Sequence, residues 1–348
     1  IMAYTPIDKS SDYFNTKLYT GNATNPTTIS GIGFQPDWVW TKLRAGGTEG
    51  HRLCDAVRGV TKDLFSNDSD AEATNSIGLK SFNSDGYVIG NSNGYNINSG
   101  TFVSWNWLAS NTTASNTAGS ITTTISANQT SGFSIIKYAG NSTNSTIGHG
   151  LGAEPEYIIF KEIDGGESWR VWSKYTPSTA SQCLALNLSS GAFSQNGWIS
   201  AVSSSTISIG TDSSINTNGN NYIAYAFAPK QGYSKFGSYI GNSGNNADAP
   251  FIYTGFKPAF FLVKNTAQAS AWEIYDSKRL GYNDKNYQLR ANESAGEGAT
   301  SDYVDFLSNG FKIRHQGGGI NETGDTFIYM AFAENPFVTS TAIPACAR

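Results

Sequence analysis

The sequence predicts an all-β protein built from three tandem, homologous β-sandwich modules of jelly-roll-like character. Three observations carry that prediction. Of the 348 residues, 13% are aromatic and only 14% are charged, against roughly 25% charged in an average soluble domain. Three sets of landmarks recur along the chain at matched spacing. The apolar runs at those landmarks are aromatic and β-branched, and the closing run alternates large and small residues with period two, as a strand packed on a second sheet should.

The composition also excludes classes. A disordered chain would be poor in aromatics and rich in charge, yet this one carries 8 Trp, 18 Tyr and 19 Phe. A coiled coil or helical bundle would need far more Ala, Glu, Lys and Leu. With 23 Lys and Arg against 27 Asp and Glu, the net charge is −4, without the basic excess of a nucleic-acid binder. No apolar run is long enough to insert into a membrane. The opening Ile1-Met2-Ala3-Tyr4-Thr5 has neither the basic nor the apolar stretch of a signal peptide. The three cysteines, Cys54, Cys183 and Cys346, are far apart and odd in number, so they read as buried or incidental thiols.

The repeat is explicit in the residues. Tyr19-Thr20-Gly21-Asn22 returns as Tyr138-Ala139-Gly140-Asn141 and as Tyr239-Ile240-Gly241-Asn242. A proline follows each tyrosine: Pro36 and Pro155 after 17 positions, Pro258 after 19. Six positions beyond each proline an apolar run closes on a lysine, Lys42, Lys161 and Lys264. Each unit ends in an aromatic run: Phe102 to Trp107, Tyr222 to Phe227 and Phe327 to Phe332. The prolines suit strand starts, where a missing donor is tolerated. The lysines read as strand-end side chains snorkelling to solvent. All nine landmark residues are therefore expected to be structural.

In chain order, residues 1–16 read as a polar N-terminal arm and 17–110 as the first module. Residues 111–131, almost entirely Ser, Thr, Asn and Ala, read as a linker or extended spacer. Residues 132–230 and 231–337 form the second and third modules, which abut at Pro229-Lys230-Gln231-Gly232 and should pack rigidly. Residues 338–348 form a tail that, like the arm, could drape over a neighbouring subunit. Asp85-Gly86 and Asn309-Gly310 look like hairpin turns. Only Asp55 to Phe65 could form a short helix.

Chemistry is sparse. His51, His149 and His315 fall at different module positions and form no repeated constellation. Asp55-x-x-Arg58 and Asp276-x-x-Arg279 share a pattern that the middle module lacks, and read as ion pairs anchoring loops rather than as an acid/base pair. Asp68, Asp70 and Glu72 place oxygen ligands at alternating positions, as calcium loops do, but lack the glycine turn and spaced glutamate of an EF-hand; such acidic runs are more often solvated loops. No cofactor is expected. Tyr and Trp beside Ser, Gly and Asn suit a recognition surface, although the strands already claim many of these rings as core. A charge-poor surface full of amides also suits close-packed assemblies, where burying a charge is costly.

One resemblance bears on function. Ala3-Tyr4-Thr5-Pro6-Ile7-Asp8, Tyr13-Phe14 and Lys17-Leu18-Tyr19-Thr20-Gly21-Asn22 are similar to segments of three-module virion proteins of marine and cyanobacterial tailed bacteriophages. So are Gly33-Phe34-Gln35-Pro36-Asp37, Phe82-Asn83-Ser84-Asp85-Gly86, Gly232-Tyr233-Ser234-Lys235-Phe236-Gly237 and Tyr329-Met330-Ala331-Phe332-Ala333-Glu334. The resemblance covers nearly the whole chain. It implies a structural protein of the virion surface, assembled in the host cytoplasm, and carries no catalytic residues across. The expected role is non-enzymatic, a head decoration (cement) protein bound to the major capsid protein. The alternative is a tail-fibre or tail-tip adhesin, bound to tail components and to host surface glycan. A polysaccharide-degrading enzyme is the remote third. A homo-oligomer is expected in either structural role, and no nucleic-acid partner.

Overall fold

In the computed structural model the described residues are 5–336 apart from 178–180, 280–282, 284–285 and 301–302. The tail 338–348, with Cys346, lies outside them. The protein is all-β: among the described residues its only helices are two single α-turns, Asn93–Asn96 and Ser213–Asn216, and two short 3-10 turns.

One strand order recurs three times, always antiparallel. In the first stretch of chain the large sheet runs Phe14–Thr20, Thr101–Trp107, Trp38–Ala45, Arg52–Asp55. The second keeps this order in Phe133–Ala139, Asn221–Phe227, Tyr157–Glu162 and Arg170–Ser173, with Thr123–Asn128 and Ala114–Asn116 added at one edge. The third keeps it in Ser234–Ile240, Thr326–Pro336, Phe256–Asn265 and Glu273–Asp276, with Asn286–Arg290 and Gly298–Thr300 added at the other edge. A three-stranded sheet covers each large one: Thr27–Ser30, Gly86–Ile89 and Leu79–Asn83 in the first unit, and their counterparts in the other two.

The period-two alternation explains the layering. Val103, Trp105 and Trp107, like Ile223, Tyr225, Phe227 and Ile328, Met330, Phe332, point to one face and meet in a single core common to all three units. On the opposite face, Ala224 and Ala226 pack under the second unit's small sheet and Tyr329 and Ala331 under the third's, each in a core of its own. Ser104 and Asn106 occupy the corresponding positions of the first unit and are buried. The shared core is densely aromatic. Trp38 has ring centroids of Tyr225 at 4.3 Å, Trp107 at 4.5 Å and Phe133 at 5.9 Å, and Phe14 stacks on Phe332 at 5.2 Å.

Contacts between units close into a ring. Trp169 Nε1 donates to Phe65 O (2.8 Å), Trp272 Nε1 donates to Ala185 O (2.8 Å), and His51 Nε2 lies 3.0 Å from Arg290 O. These three rings hold the same place in their units, just before the fourth strand. A backbone bond repeats the pattern: Glu72 N to Ile163 O, Ala192 N to Thr266 O and Glu297 N to Arg44 O. Each unit thus lays its arm on the next, and the third returns to the first.

Several expectations are corrected. Residues 111–131 are not a spacer: Ala114–Asn116 and Thr123–Asn128 are sheet strands, paired in register with each other and with Phe133–Ala139. Their Ser and Thr side chains replace apolar burial with hydrogen bonds, as from Thr123 Oγ1 to Gly148 O at 2.9 Å. The first unit also contributes to the core it shares with the other two. Nor is the described part of the arm, residues 5–16, free for a neighbour, because Ile7 and Phe14 are buried in the shared core and Phe14 begins a strand. Asp55 to Phe65 is not helical. The Asp55 carboxylate accepts the backbone N–H groups of Val57 and Arg58, and Gly59 and Thr61 at φ 96° and 64° turn the chain into the short strand Lys62–Asp63. Pro36 and Pro155 precede their strands, but Pro258 lies inside Phe256–Asn265, at a bulge. Both hairpins form one residue earlier than read, with Ser84-Asp85 and Ser308-Asn309 as loops.

Candidate functional site

The landmark residues form a repeated corner. Tyr19, Tyr138 and Tyr239 donate their hydroxyls to Tyr95 O (2.8 Å), Ile215 O (2.8 Å) and Ile320 O (2.7 Å). The next residues, Asn96, Asn216 and Asn321, accept from the backbone N–H of Asn22, Asn141 and Asn242 at 2.8, 2.8 and 3.0 Å. Glycine is required between Tyr and Asn because a Cβ on Gly21, Gly140 or Gly241 would lie 2.1–2.3 Å from a backbone oxygen. The three buried asparagines escaped the sequence reading. Their signal was present, since each stands six positions before the closing aromatic run.

Lys42, Lys161 and Lys264 do not snorkel; all three are buried. Lys42 Nζ donates to Glu49 O and to Ser294 O of the third unit, Lys161 Nζ to Glu162 O and Gly165 O, and Lys264 Nζ to Ser189 O of the second unit, Asn265 O and Ser270 O. Burial pushes each ammonium down to about 8 from 10.5. The unfolded chain keeps these protons to near 10.5, so above pH 8 it holds more protons than the folded chain and stability rises with pH. Between pH 8 and 9 the gain should be on the order of 1 kcal/mol per lysine, offset in part by the buried thiols of Cys54 and Cys183, which ionise in this range only when unfolded. Urea midpoints across that interval check this: the rise should shrink in Lys264→Met, and a flat or falling midpoint would contradict it.

The Asp-x-x-Arg pairs are buried at unit boundaries. Asp55 Oδ2 sits 2.5 Å from Arg58 Nε and accepts from Tyr225 OH of the second unit at 2.8 Å. Asp276 Oδ2 sits 2.5 Å from Arg279 Nε and accepts from Trp105 Nε1 of the first unit at 3.0 Å. Glu72 and Glu297 lie 3.1 and 3.6 Å from the same guanidiniums. Ser173, Thr176 and Ala192 hold these places in the second unit, where the facing residue is Met330. Donor and acceptor are thus lost together.

The remaining candidates separate. Glu72 is committed to Arg58 and Lys62, and among the described residues no group of three or more His, Cys, Asp or Glu is placed to hold a metal. Asp68, Asp70 and Glu72 are thus not brought together as such a group. His51 accepts from Trp40 Nε1 at its Nδ1 (2.8 Å), so its proton is on Nε2, and burial holds its pKa well below the usual range. His149 accepts from Leu151 N, and His315 accepts from Gly317 N and stacks on Tyr303 at 4.1 Å. Cys54 and Cys183 are buried free thiols, and burial raises both above their ordinary value.

Several concavities open among the described residues, and two stand out by their linings. One, of about 340 Å³ in the third unit, is lined by Glu273, Arg290, Glu293, Tyr303, His315 and the Gly317–Gly319 loop, among others. Burial raises the Glu273 carboxyl, but its Oε2 accepts from Tyr275 OH at 2.7 Å, and His315 is not hydrogen-bonded to it. The other is a groove of about 660 Å³ on the outer face of the second unit's small sheet, lined by hydroxyl, amide and indole groups. Neither brings a nucleophile and a base together.

The family described as "Domain of unknown function (DUF7483)" matches residues 9–336, one match spanning all three units. No curated protein and no solved structure matches the chain.

Proposed function

Since the chain belongs to the DUF7483 family, whose description assigns no activity, we propose its role from its architecture: a non-enzymatic structural protein of a tailed-phage virion, a decoration protein seated on the outside of the head. One observation carries the reading. A single chain closes three units of one strand order into a ring around a shared core. Such a ring offers three near-equivalent faces to three copies of a symmetric partner, so it suits a junction where three capsid subunits meet. The conspicuous charged groups support the same reading, because the Asp-Arg pairs, Lys42 and Lys264 are spent inside the ring on bonds that cross its unit boundaries. With only 14% of its residues charged, the chain leaves a surface with little desolvation penalty on assembly.

Quantitative gel analysis of purified particles tests this. The decoration role requires copies in a fixed, high ratio to the major capsid protein, and particles lacking the protein should burst more readily. A few copies per particle would sink it.

A further inference from the structure

The groove on the second unit is walled on one side by the segment 111–131, which runs along the edge of the small sheet. Ser120 and Thr146 exchange hydrogen bonds, Ser120 N to Thr146 Oγ1 at 2.8 Å and Thr146 N to Ser120 Oγ at 2.9 Å, and Ile121 N donates to Thr146 O at 3.0 Å. Ile121 bridges Ile147 in parallel. The added chain walls one side of the groove; the turn Gln195–Gly197 walls another, and Thr146 and Ser208 lie between them.

The chemistry of this lining is selective. It carries no Asp, Glu, Lys, Arg or His. Its polar groups are amides (Asn144, Gln195, Asn196) and hydroxyls (Ser120, Thr146, Ser208), which both donate and accept. Trp198 also lines the groove, packs edge-to-face on Phe160 at 5.8 Å, and has a buried Nε1 with no acceptor among the described residues. A charged ligand would lose its hydration here and meet no counter-charge. An apolar ligand would cover amides and hydroxyls without pairing them. A neutral polyol satisfies both conditions, and the volume falls within the range of small-molecule sites.

We propose that this groove binds a neutral oligosaccharide. The site is independent of any seating at a three-fold junction and stands or falls separately from it. Saturation-transfer NMR on the full chain, with maltohexaose, cellohexaose, chitohexaose and hexamannose as neutral probes and oligogalacturonate as the acidic one, tests it. At least one neutral probe should bind, and the acidic probe about tenfold more weakly. Ser208→Trp fills the groove and should weaken binding by about tenfold or more. Asn196→Ala, on an exposed turn that tolerates truncation, should weaken it severalfold with an unchanged melting temperature. No binding by any neutral probe at about 10 mM, binding that survives both substitutions, or equal binding of the acidic probe would overturn the proposal.

Discussion

Asp55→Ala is expected to lower the unfolding free energy by about 3–5 kcal/mol, because it leaves the Arg58 guanidinium buried without its main counter-charge. Arg58 would keep its bonds to Leu53 O and Lys62 O and the more distant Glu72, but Tyr225 OH would lose its acceptor across the unit boundary. The second unit shows how the same place is filled without charge. Transplanting its residues together, as Asp55→Ser, Arg58→Thr, Glu72→Ala and Tyr225→Met, should cost less than Asp55→Ala alone, since donors and acceptors then disappear in pairs. Urea titrations of the two variants check both statements. A quadruple variant less stable than the single one would show that the pair contributes net stability rather than merely being costly to break.

Trp38→Ala should cost about 3–5 kcal/mol, the range for deleting a buried large aromatic. The indole is 1% exposed and lies among Trp40, Trp107, Phe133, Tyr225 and Phe227, two of its own unit and three of the next. Its loss should therefore loosen amides in the second unit as well as the first, read by hydrogen exchange along Asn221–Phe227. Leu188→Ala, at a side chain 44% exposed, is the control and should change stability by no more than about 0.5 kcal/mol. Exchange that accelerates only within residues of the first unit would contradict the shared core.

The strands were legible because they are written in local patterns. The Tyr-x-Gly-Asn corner, the apolar run closing on lysine and the alternating final strand each state their own geometry, and the structure gives the reason for each residue. Ring closure was not legible, because its contacts reuse one position with different chemistry. His51 stands where Trp169 and Trp272 stand, and Ser173 where Asp55 and Asp276 stand, so no single residue type repeats to betray the interface. The lysines misled for a related reason. A lysine ending an apolar run reads as solvent-seeking, but carbonyls of the following loop accept from all three, and for Lys42 and Lys264 a neighbouring unit's loop, absent from any local window, adds another. Residues 111–131 were misread because the strand Thr123–Asn128 buries Thr123 and Ser126 beside a single large apolar residue, Ile125, and so lacks the apolar signature. That same segment supplies Ser120 to the wall of the groove.

The claim beneath all of this is that three sandwiches share one core and behave as one body. Differential scanning calorimetry of the whole chain tests it most directly. The ring predicts a single transition whose calorimetric enthalpy equals its van't Hoff enthalpy. Two or three resolved transitions, or a calorimetric enthalpy well above the van't Hoff value, would show units that melt independently and would contradict the shared core.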